Sequence, residues 1–362
     1  MKTNLYEIAE HFQLEGEILN IATLGEGFIN DTFIIKTKTD ASPNYLMQRK
    51  NRKIFTDVPA MMDNIERITS HLKKKISARG GDPMREALTV IKTKEGALYH
   101  VDQEGEYWAL CLFIPGSVTY EAADTPELAY AGGKGIGKFQ RMTSDFTGKL
   151  SDILPGFHNI RFRFKQWDEV LAKDPVDRKK DMEKEIAWIE ERREEMLGFW
   201  EKVETGVIPT RVTHNDTKIN NILFDDKGDV LCVIDLDTVL SSTALNDFGD
   251  AIRSYTNTGL EDDKDLNKVS MDIQIFEAYT RGYLSETKSF LTQVELDYLA
   301  FSAKYITYEQ VLRFLMDYID GDNYYKIKYA EHNLVRTRAQ YRLLQSIEEQ
   351  FDEMKKIVKA NQ

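Results

Sequence analysis

Residues 213–237 read THNDTKINNILFDDKGDVLCVIDLD, and this stretch decides the fold. Two short apolar runs, 222–224 and 230–234, flank the turn signal DDKG at 225–228. Apolar runs joined by such a turn are typical of two paired strands. The segment is therefore predicted to form a hairpin with polar residues gathered at both of its ends.

The polar residues before the hairpin have the spacing of a kinase catalytic loop, H-x-D-x-K-x-x-N, from His214 to Asn221. In phosphoryl transfer the protein mainly positions the reactants and neutralises charge. We assign Asp216 as the base that accepts the proton of the attacking hydroxyl, and Lys218 as a cation near the transferring group. A loop whose Asn and Asp side chains merely cap backbone groups is the structural alternative.

Two oxygen ligands for a metal are also predicted. Asn221 ends the loop, and Asp235 ends the second apolar run of the hairpin. An amide oxygen and a carboxylate suit Mg²⁺ that bridges the phosphates of a nucleotide. The stretch therefore predicts a phosphotransferase that uses ATP and Mg²⁺.

Composition and charge restrict the class of protein. The chain has 362 residues, of which 42% are hydrophobic and 30% are charged, and this is typical of a globular protein long enough for two lobes. The net charge of −12 argues against a nucleic-acid partner, because phosphate backbones bind to basic faces. A small phosphorylated cofactor remains compatible with a locally cationic pocket.

No membrane or secretion signal is evident. No apolar run approaches the roughly 18 residues of a membrane span, and MKTNLYEIAEHF at the start lacks the apolar core of a signal peptide. Cys111 and Cys232 lie in apolar runs and are predicted to be buried, reduced thiols. We expect a cytoplasmic protein without a membrane partner, and among oligomeric states a monomer is favoured.

A glycine-containing segment lies near the start of the chain. Residues 21–35, IATLGEGFINDTFII, predict a strand, a glycine turn and a second strand. Gly25 and Gly27 allow the backbone to approach a phosphate, and Asn30 and Thr32 add polar side chains near the turn. Alone, this pattern fits an ordinary hairpin; ahead of a further strand it predicts a loop that covers the nucleotide.

The following strand should carry the lysine that contacts the inner phosphates, but Gln48 occupies the expected position. Either Gln48 takes a neutral version of this role or Arg49 supplies the charge. Strand alternation puts these two side chains on opposite faces, so only one of them can face a cleft. On the next helix, Glu66 is a candidate for the orienting acid, with a solvated helix glutamate as the alternative.

A boundary between two lobes is predicted at Pro115-Gly116. Residues 1–114 would form a nucleotide-binding lobe, and residues 115–362 a mostly helical lobe for catalysis and substrate binding. Backbone groups of Phe113 and Ile114 would bind the adenine. The predicted fold class is α+β, a two-lobed protein-kinase-like fold with a small β-rich lobe and a large helical one.

Two further motifs are predicted to be structural. GGKGIGKF at 132–139 nearly matches the Walker phosphate loop, but Phe139 stands where Ser or Thr must bind magnesium. Small residues on a closely packed helix explain this segment better. The triplet DFG at 247–249 follows a strand that already ends in Asp235, so we interpret it as a structural turn that helps to order the catalytic loop.

Taken together, these motifs resemble the aminoglycoside phosphotransferase and choline kinase superfamily. The matching stretches are GEGFINDTF, RVTHNDTKINNILFD, VIDLDTV, DFGDAIR, RFLMDYIDGDNYY and KYAEHNLVRTR. The last two lie outside generic kinase motifs and are similar to those of members that act on N-acetylhexosamines. The resemblance implies transfer of the γ-phosphate of ATP to the anomeric hydroxyl of N-acetylglucosamine or N-acetylgalactosamine, with Mg²⁺.

The resemblance also implies residues that bind the sugar. Asp216 would act at the anomeric hydroxyl, while Arg313 and Tyr324, in the stretch RFLMDYIDGDNYY, would contact the sugar. A guanidinium fork suits sugar hydroxyls and an acetamido carbonyl. The alternative for Arg313 is an ion pair within the helical lobe.

Two other functions compete with this one. A kinase of the same fold could act on choline, homoserine, an aminoglycoside or a thiosugar; a quaternary ammonium would require an aromatic cage, and an aminoglycoside a strongly acidic cleft. A pseudokinase-like binding module is suggested by the missing strand lysine. The presence of Asp216, Asn221 and Asp235 argues against that module.

Overall fold

A computed structural model describes residues 4–25 and 29–362. Gly27, predicted to lie in a phosphate-covering loop, is outside the described residues. The chain divides into two compact units that interleave along the sequence. Unit 1 contains the described residues of Met1–Thr119, Asp145–Leu154 and Ile222–Ser241, and unit 2 contains Tyr120–Ser144, Pro155–Asn221 and Ser242–Gln362.

Unit 1 is built on an antiparallel sheet. Its strands are β1 Ile18–Thr23, β2 Asp31–Thr37, β3 Tyr45–Lys50, β4 Val90–Ile91, β5 His100–Val101 and β6 Tyr107–Leu112. Among the described residues their spatial order is β1-β2-β3-β6-β4, and β5 also pairs with β6. The two strands predicted near the start of the chain are thus confirmed as β1 and β2.

One face of this sheet forms a hydrophobic core with helix α1, Leu5–Glu10. Phe12, just after α1, packs in this core with Tyr45 and Met47 of β3. Because side chains alternate along a strand, Gln48 and Lys50 lie on the opposite face from Met47. The sheet therefore separates a hydrophobic face from a face that carries polar groups.

Two helices follow the first strands. They are α2, Val58–Ala78, and α3, Pro83–Glu86. The side chain of Asp57 caps α2 by accepting the N–H of Ala60 at 3.0 Å. Within α2, the buried Asn64 donates to the carbonyls of Ser151 (2.9 Å) and Val239 (3.2 Å), and its own oxygen accepts the Ser151 N–H. This side chain ties two distant segments of the sequence into unit 1.

The hairpin predicted at the centre of the chain is confirmed. Strand β8, Ile222–Phe224, pairs antiparallel with β9, Val230–Val233, and Ile222 lies opposite Val233. At the turn, the carboxylate of Asp225 accepts two backbone N–H groups, and Gly228 has a φ of +81°. Two further short strands flank the hairpin region, β7 at Arg211–Thr213 and β10 at Leu240–Ser242.

Unit 2 is mostly helical. Its helices are α4 Pro126–Thr143, α5 Ile160–Lys173, α6 Glu183–Glu190, α7 Arg193–Glu204, α8 Ala244–Tyr255, α9 Ile273–Thr287, α10 Gln293–Ile319, α11 His332–Glu349 and α12 Phe351–Asn361. The long, mostly buried helix α10 begins with a capping box between Thr292 and Glu295. The predicted combination of an antiparallel sheet and a largely helical remainder is therefore confirmed.

The glycines of GGKGIG lie inside α4, as predicted for a closely packed helix. A Cβ at Gly137 would lie 2.8 Å from the carbonyl oxygen of Tyr283 in α9, and one at Gly133 would come still closer to that of Tyr279. The absence of side chains thus allows the backbones of α4 and α9 to approach each other. This helix-to-helix contact, rather than phosphate binding, accounts for the glycines.

Other expectations concern membranes, thiols and domains. Throughout residues 4–25 and 29–362, each helix is too short or too polar to cross a bilayer. Cys111 and Cys232 are free thiols; Cys232 is buried as predicted, whereas Cys111 is only half-buried. The division into functional domains at 114/115 stays a prediction, and segments 145–154 and 222–241 cluster with unit 1.

Candidate active site

In unit 2 the predicted catalytic loop is held by a carboxylate of α8. Asp247 accepts the backbone N–H groups of His214 (3.0 Å) and Asn215 (2.7 Å), and also the side-chain amide of Gln140 (2.9 Å). Asn215 has a φ of +65°, a left-handed conformation that Asn tolerates better than most residues. Asp247 of the DFG triplet thus orders the loop, as predicted. The prediction that the triplet forms a turn was wrong, because it lies in the first turns of helix α8.

The backbone of Asp216 is fixed on both sides. Its N–H donates to Nδ1 of His214 at 3.2 Å, and its carbonyl accepts from Nδ2 of Asn221 at 2.8 Å. The next residue, Thr217, donates its N–H to the carboxylate of Asp250 at 2.8 Å. The side chain of Asp216 is 22% exposed, so a rigid loop presents an accessible carboxylate.

The two predicted catalytic side chains lie together. The ammonium of Lys218 is 3.0 Å from Oδ1 of Asp216. Burial lowers the pKa of Lys218, but the charge of Asp216 and the hydrogen bond to it outweigh burial, so the pKa is raised overall. Lys218 therefore keeps its positive charge beside the predicted base.

The predicted metal ligands provide oxygen donors of suitable chemistry. Because Nδ2 of Asn221 is bonded to the carbonyl of Asp216, the amide oxygen Oδ1 is turned away as an acceptor. In unit 1, Asp235 follows β9 with a φ of +58°. Within the described ranges, no cluster of three or more His, Cys, Asp or Glu could hold a metal. A few protein oxygens completed by water and phosphate are the usual coordination of Mg²⁺, so each of the two side chains has the chemistry of a Mg²⁺ ligand, and their joint role stays a prediction.

A buried ion pair in unit 1 supplies the lysine that was missing from the sequence pattern. The ammonium of Lys50 lies 2.7 and 2.8 Å from the two carboxylate oxygens of Asp237, and 2.6 Å from Oε1 of Gln48. Only 3% of the Lys50 side chain and 7% of the Asp237 side chain are exposed. Asn30 also donates to Asp237, at 2.7 Å. Asn30 thus orients this pair.

The structure shows where the side chains of the two alternatives for the missing lysine lie. Arg49 pairs with Asp31 at the surface, and its guanidinium lies 5.9 Å from the ring centre of Trp108. Gln48 shares the face of Lys50, and its amide lies 3.4 Å from the hydroxyl of Thr32. The cation on this face is Lys50, two residues beyond the expected position. Strand alternation, which separates Gln48 from Arg49, could have identified it.

The predicted orienting acid has a different partner. Glu66 on α2 lies 3.3 Å from the ammonium of Lys92, and both side chains are partly exposed. The carboxylate that holds Lys50 is that of Asp237, which follows the hairpin. The prediction for Glu66 was therefore wrong in its partner, and Asp237 was missed as the group that orients the lysine.

The backbone groups predicted to bind adenine are partly occupied. The N–H of Phe113 donates to the carbonyl of Asn44 at 2.9 Å, and the carbonyl of Ile114 accepts the Ser117 hydroxyl at 2.8 Å. A role for the Phe113 N–H in binding a base is therefore contradicted. The side chain of Ile114 is buried in an apolar cluster with Leu223 and Cys232. Ile114 therefore contributes an apolar side chain to the core of unit 1.

Gly25 has the conformation expected of a turn glycine. Its φ is +66°, and among the described residues the Cβ position of Gly25 would meet no atom within 4 Å apart from its chain neighbours. The backbone at this point is therefore open to approach from outside.

A cavity of about 300 Å³ in unit 2 brings the predicted sugar-binding residues together. Arg313 and Tyr324 both line it, with Tyr325 beside them. The guanidinium of Arg313 lies 5.7 and 5.5 Å from the ring centres of these tyrosines, and it donates to Gln310 at 3.3 Å. Among the described residues Arg313 makes no ion pair with a carboxylate at hydrogen-bond distance. Burial lowers the pKa of Arg313, but interactions with Tyr325 and with the charge of Glu309 outweigh burial and raise it, so an electrostatic partner within the helical lobe stays a valid alternative.

The rim of this cavity is fixed by an acid of α10. Asp317 accepts the N–H groups of Tyr324 (2.8 Å) and Tyr325 (3.0 Å), and the side-chain amide of Asn333 (2.8 Å). Three donors satisfy its carboxylate. The tyrosine loop is thereby held at the cavity, while 61% of Tyr324 remains exposed.

Residues 20–286 match the model of the phosphotransferase enzyme family, which is more than half of the chain. The chain belongs to this family. The phosphotransferase is also similar in fold to solved structures that cover almost its whole length. An aminoglycoside phosphotransferase from Alicyclobacillus acidocaldarius is 12% identical with a TM-score of 0.62, and the match covers 98% of each chain.

Two further solved structures share the fold. A microcompartment-associated aminopropanol kinase is 14% identical with a TM-score of 0.66, and 97% of each chain is covered. The amicoumacin kinase hAmiN, solved with AMP-PNP and Ca²⁺, is 13% identical with a TM-score of 0.60; 94% of this phosphotransferase and 92% of that chain are covered. These solved structures show the kinase-like fold of the chain, and the family model shows that it belongs to the phosphotransferase enzyme family.

The phosphotransferase also uses Asp250, a residue that the sequence analysis missed. Its carboxylate holds the N–H of Thr217 and pairs with Arg253 at 3.3 Å. The sequence signal was available, since Asp247 and Asp250 lie three residues apart and share one face of a helix. Together the two carboxylates hold successive backbone groups of the catalytic loop.

Proposed function

We propose that this phosphotransferase transfers the γ-phosphate of ATP to the anomeric hydroxyl of an N-acetylhexosamine, N-acetylglucosamine or N-acetylgalactosamine, in the presence of Mg²⁺. The observation that carries the proposal is Arg313, a cation that lines a small cavity together with Tyr324 and Tyr325. The chemistry of its guanidinium indicates which class of acceptor the cavity suits.

The charge of the cavity disfavours cationic acceptors. Choline, amino alcohols and aminoglycosides carry positive charge at neutral pH, so they require a cluster of free carboxylates or an aromatic cage. Here the acids at the cavity already have partners: Asp317 accepts three N–H donors, and Asp320 accepts from Asn323. A second arginine, Arg163, also lines the wall. A neutral acceptor rich in hydroxyl and carbonyl oxygens suits this site better.

Size and shape favour a monosaccharide. The cavity of about 300 Å³ lies at the small end of the roughly 300–1,000 Å³ of ligand pockets. Tyr324 and Tyr325 offer rings on which the apolar face of a sugar can pack. The guanidinium fork of Arg313 can donate two parallel hydrogen bonds to neighbouring oxygens, such as an acetamido carbonyl and a ring hydroxyl.

The catalytic loop supplies the groups that the reaction requires. The carboxylate of Asp216 accepts the proton of the anomeric hydroxyl as the hydroxyl oxygen attacks the γ-phosphorus, while the bond from the γ-phosphorus to the bridging oxygen breaks and ADP leaves. Lys218 compensates negative charge near the transferring group. Asn221 and Asp235 would hold Mg²⁺, which when bound neutralises charge on the phosphate oxygens. Lys50 is the cation in unit 1 suited to the inner phosphates.

A panel of acceptors tests the proposal. The wild-type protein is incubated with ATP, Mg²⁺ and one acceptor at a time: N-acetylglucosamine, N-acetylgalactosamine, glucose, choline or 1-amino-2-propanol. We expect nucleotide turnover with the two N-acetylated sugars and a phosphate on the anomeric carbon, detected by ³¹P NMR. Turnover of an amine alone, or a phosphate on carbon 6, would refute the proposal.

An amino-alcohol kinase is the second candidate, because one similar solved structure is an aminopropanol kinase. The same panel decides between the two. If 1-amino-2-propanol is the preferred acceptor, Asp317 or Asp320 would have to give up a present hydrogen-bond donor in order to bind the ammonium of the acceptor.

A further inference from the structure

The cavity of Arg313 lies between two helices of unit 2, α5 and α10. On α5 the lining residues are Arg163, Gln166 and Val170, and on α10 they include Arg313 and Met316. The three residues of α5 are spaced three and four positions apart, so they share one face of that helix. One wall of the cavity is therefore a single face of α5, and it lies opposite α10.

The two helices run in the same direction. The N–H of Ile160, at the start of α5, donates to the hydroxyl of Tyr305 at 3.2 Å, and Nε of Arg163 donates to Glu309 at 3.2 Å. The members of these two pairs are 145 and 146 positions apart. Later residues of α5 thus meet later residues of α10, and the order of side chains along one wall can be compared with the order along the other.

Both guanidiniums of the cavity lie towards the start of the helices. Arg163 is in the first turn of α5. Arg313 donates to Gln310, one turn before it on α10, at 3.3 Å, so its side chain points back in the same direction. The cavity therefore has a cationic end.

Two apolar side chains follow further along the cavity. The offset of 146 puts Val170 level with Met316, and both side chains are partly buried. Asp320, one turn beyond Met316, bounds this apolar patch, and its carboxylate accepts the side-chain amide of Asn323 at 3.3 Å. A methyl group of a ligand can remove its surface from water against Val170 and Met316.

Gln166 stands on α5 between the guanidinium of Arg163 and the apolar patch. Its Oε1 accepts Nη1 of Arg163 at 3.0 Å, and Nε of the same guanidinium is held by Glu309. Because a guanidinium can only donate, the amide oxygen of Gln166 must face Arg163, and its Nε2 must face away. The amide thus offers N–H donors to a ligand of the cavity.

An N–H donor beside an apolar patch is the complement of an acetamido group. That group carries a carbonyl oxygen and a methyl group on the same carbon atom, so the oxygen can accept from the donor while the methyl group packs on the patch. A hydroxyl group in the same place could still accept the hydrogen bond, but it would leave the patch without an apolar partner. The arrangement therefore favours an acylated amine over a plain hydroxyl.

We propose that Gln166, Val170 and Met316 form a subsite for the acyl group of the acceptor. Nε2 of Gln166 donates to the acyl carbonyl, and the acyl methyl group packs on Val170 and Met316. A carbonyl oxygen can accept two hydrogen bonds, so Arg313 can donate to the same oxygen. The inference rests on the proposed function, since it takes the cavity as the acceptor site, and it adds the residues that distinguish an N-acetylhexosamine from a plain hexose.

The length of the acyl group gives the sharpest test. Wild type and Val170→Ala are compared with N-acetylglucosamine and N-propanoylglucosamine as acceptors, in the presence of ATP and Mg²⁺. Alanine leaves room for the additional methylene, so the ratio of kcat/KM for the propanoyl sugar to that for the acetyl sugar should rise about tenfold. Met316→Ala should change the ratio in the same direction from the other wall. Val207→Ala, at an exposed position in the turn after α7, is the matched control and should keep the wild-type ratio.

A second variant tests the hydrogen bond. In Gln166→Glu the carboxylate still accepts from Arg163 but can no longer donate, so KM for N-acetylglucosamine should rise about tenfold, while KM for ATP changes by less than about twofold. Gln274→Glu, at an exposed position of α9, is the control for the added charge. An equal acceptor KM in these two variants would show that the amide of Gln166 does not bind the acyl carbonyl, and the proposal would be wrong.

Saturation-transfer NMR reports on the subsite without turnover. With N-acetylglucosamine and the wild-type protein, the acetamido methyl group should receive more saturation than the ring protons, and this excess should fall in Val170→Ala. If the methyl excess and the acyl ratio are both the same in Val170→Ala as in wild type, the inference is overturned, while turnover by the wild type leaves the proposed function standing.

The same data separate a failure of the proposed function. If the methyl excess is present in wild type and falls in Val170→Ala but no anomeric phosphate forms, the proposed function fails while the acyl subsite stands. If N-acetylglucosamine shows neither saturation transfer nor turnover with the wild-type protein, both proposals are wrong.

Discussion

The ammonium of Lys50 lies 2.7 Å from Oδ1 of Asp237, and both side chains are almost completely buried in unit 1. The two residues are 187 positions apart in the sequence. Two buried ions are stable only when each satisfies the other, because the loss of hydration is larger than for an exposed pair. The pair therefore joins strand β3 to the segment after the hairpin and keeps a cation on the polar face of the sheet.

Removal of this lysine should destabilise the protein strongly. Lys50→Met leaves the carboxylate of Asp237 buried with Asn30 as its one side-chain donor among the described residues, so we expect a loss of about 3–5 kcal/mol in the free energy of unfolding. Arg49→Met is the matched control, since Arg49 pairs with Asp31 at the surface and should cost only about 0–1 kcal/mol. Urea unfolding curves measure both. Equal losses in the two variants would contradict the account of the buried pair.

The central hairpin and the loop before it could be predicted because their signals are local. Apolar runs and a turn signal specify β8 and β9, and the spacing from His214 to Asn221 specifies the loop. Contacts between distant segments leave no such signal. Asp237 beside Lys50, and the carbonyl of Asn44 that occupies the Phe113 N–H, result from tertiary packing.

The sequence was incomplete at Gln48 and misleading at Glu66, for separate reasons. At Gln48, only the expected position and its neighbour Arg49 were considered. The alternation of the strand also places Lys50 on the face of Gln48. At Glu66 the helix α2 was right, but the sequence gives no information on which cation a surface carboxylate meets. That partner is Lys92, 3.3 Å away.

Replacement of the predicted base should abolish most turnover without unfolding the loop. The hydrogen bonds that fix Asp216 use its backbone N–H and carbonyl, so Asp216→Asn keeps them. We expect kcat to fall by about 10²- to 10⁴-fold, the usual contribution of general base catalysis. Asp226→Asn, in the exposed hairpin turn, is the control. Turnover of the Asp216→Asn protein at the wild-type rate would exclude Asp216 as the base.

The guanidinium fork of Arg313 should matter more than its charge. Arg313→Lys keeps the positive charge but loses the paired donors, so KM for an N-acetylated sugar should rise about tenfold, equivalent to about 1.4 kcal/mol. KM for ATP should change little. Arg342→Lys, at an exposed pair with Glu349, is the control for a general effect of the exchange. An unchanged acceptor KM in Arg313→Lys would show that the fork does not contact the acceptor.

Acid should lower the stability of the folded protein partly by protonating Glu309. Burial raises the pKa of this carboxyl, but the charges of His158, Arg163 and Arg313 outweigh burial and lower it from 4.5 to about 2. A pKa that is lower in the folded state than in the unfolded state adds stability above pH 4.5, and this stability is lost as the pH falls from 4.5 towards 2.

The size of this effect follows from the shift, which corresponds to on the order of 3 kcal/mol at neutral pH. Glu309→Gln cannot titrate, so its free energy of unfolding should fall less than that of wild type between pH 4.5 and pH 2. At pH 7 the variant should be less stable than wild type, because His158 and Arg163 lose an ionised partner. Urea unfolding at several pH values within this range measures the slope. If the free energy of unfolding falls equally with pH in both proteins, the carboxyl of Glu309 does not titrate in this range. The charges around Glu309 would then not explain a loss of stability in acid.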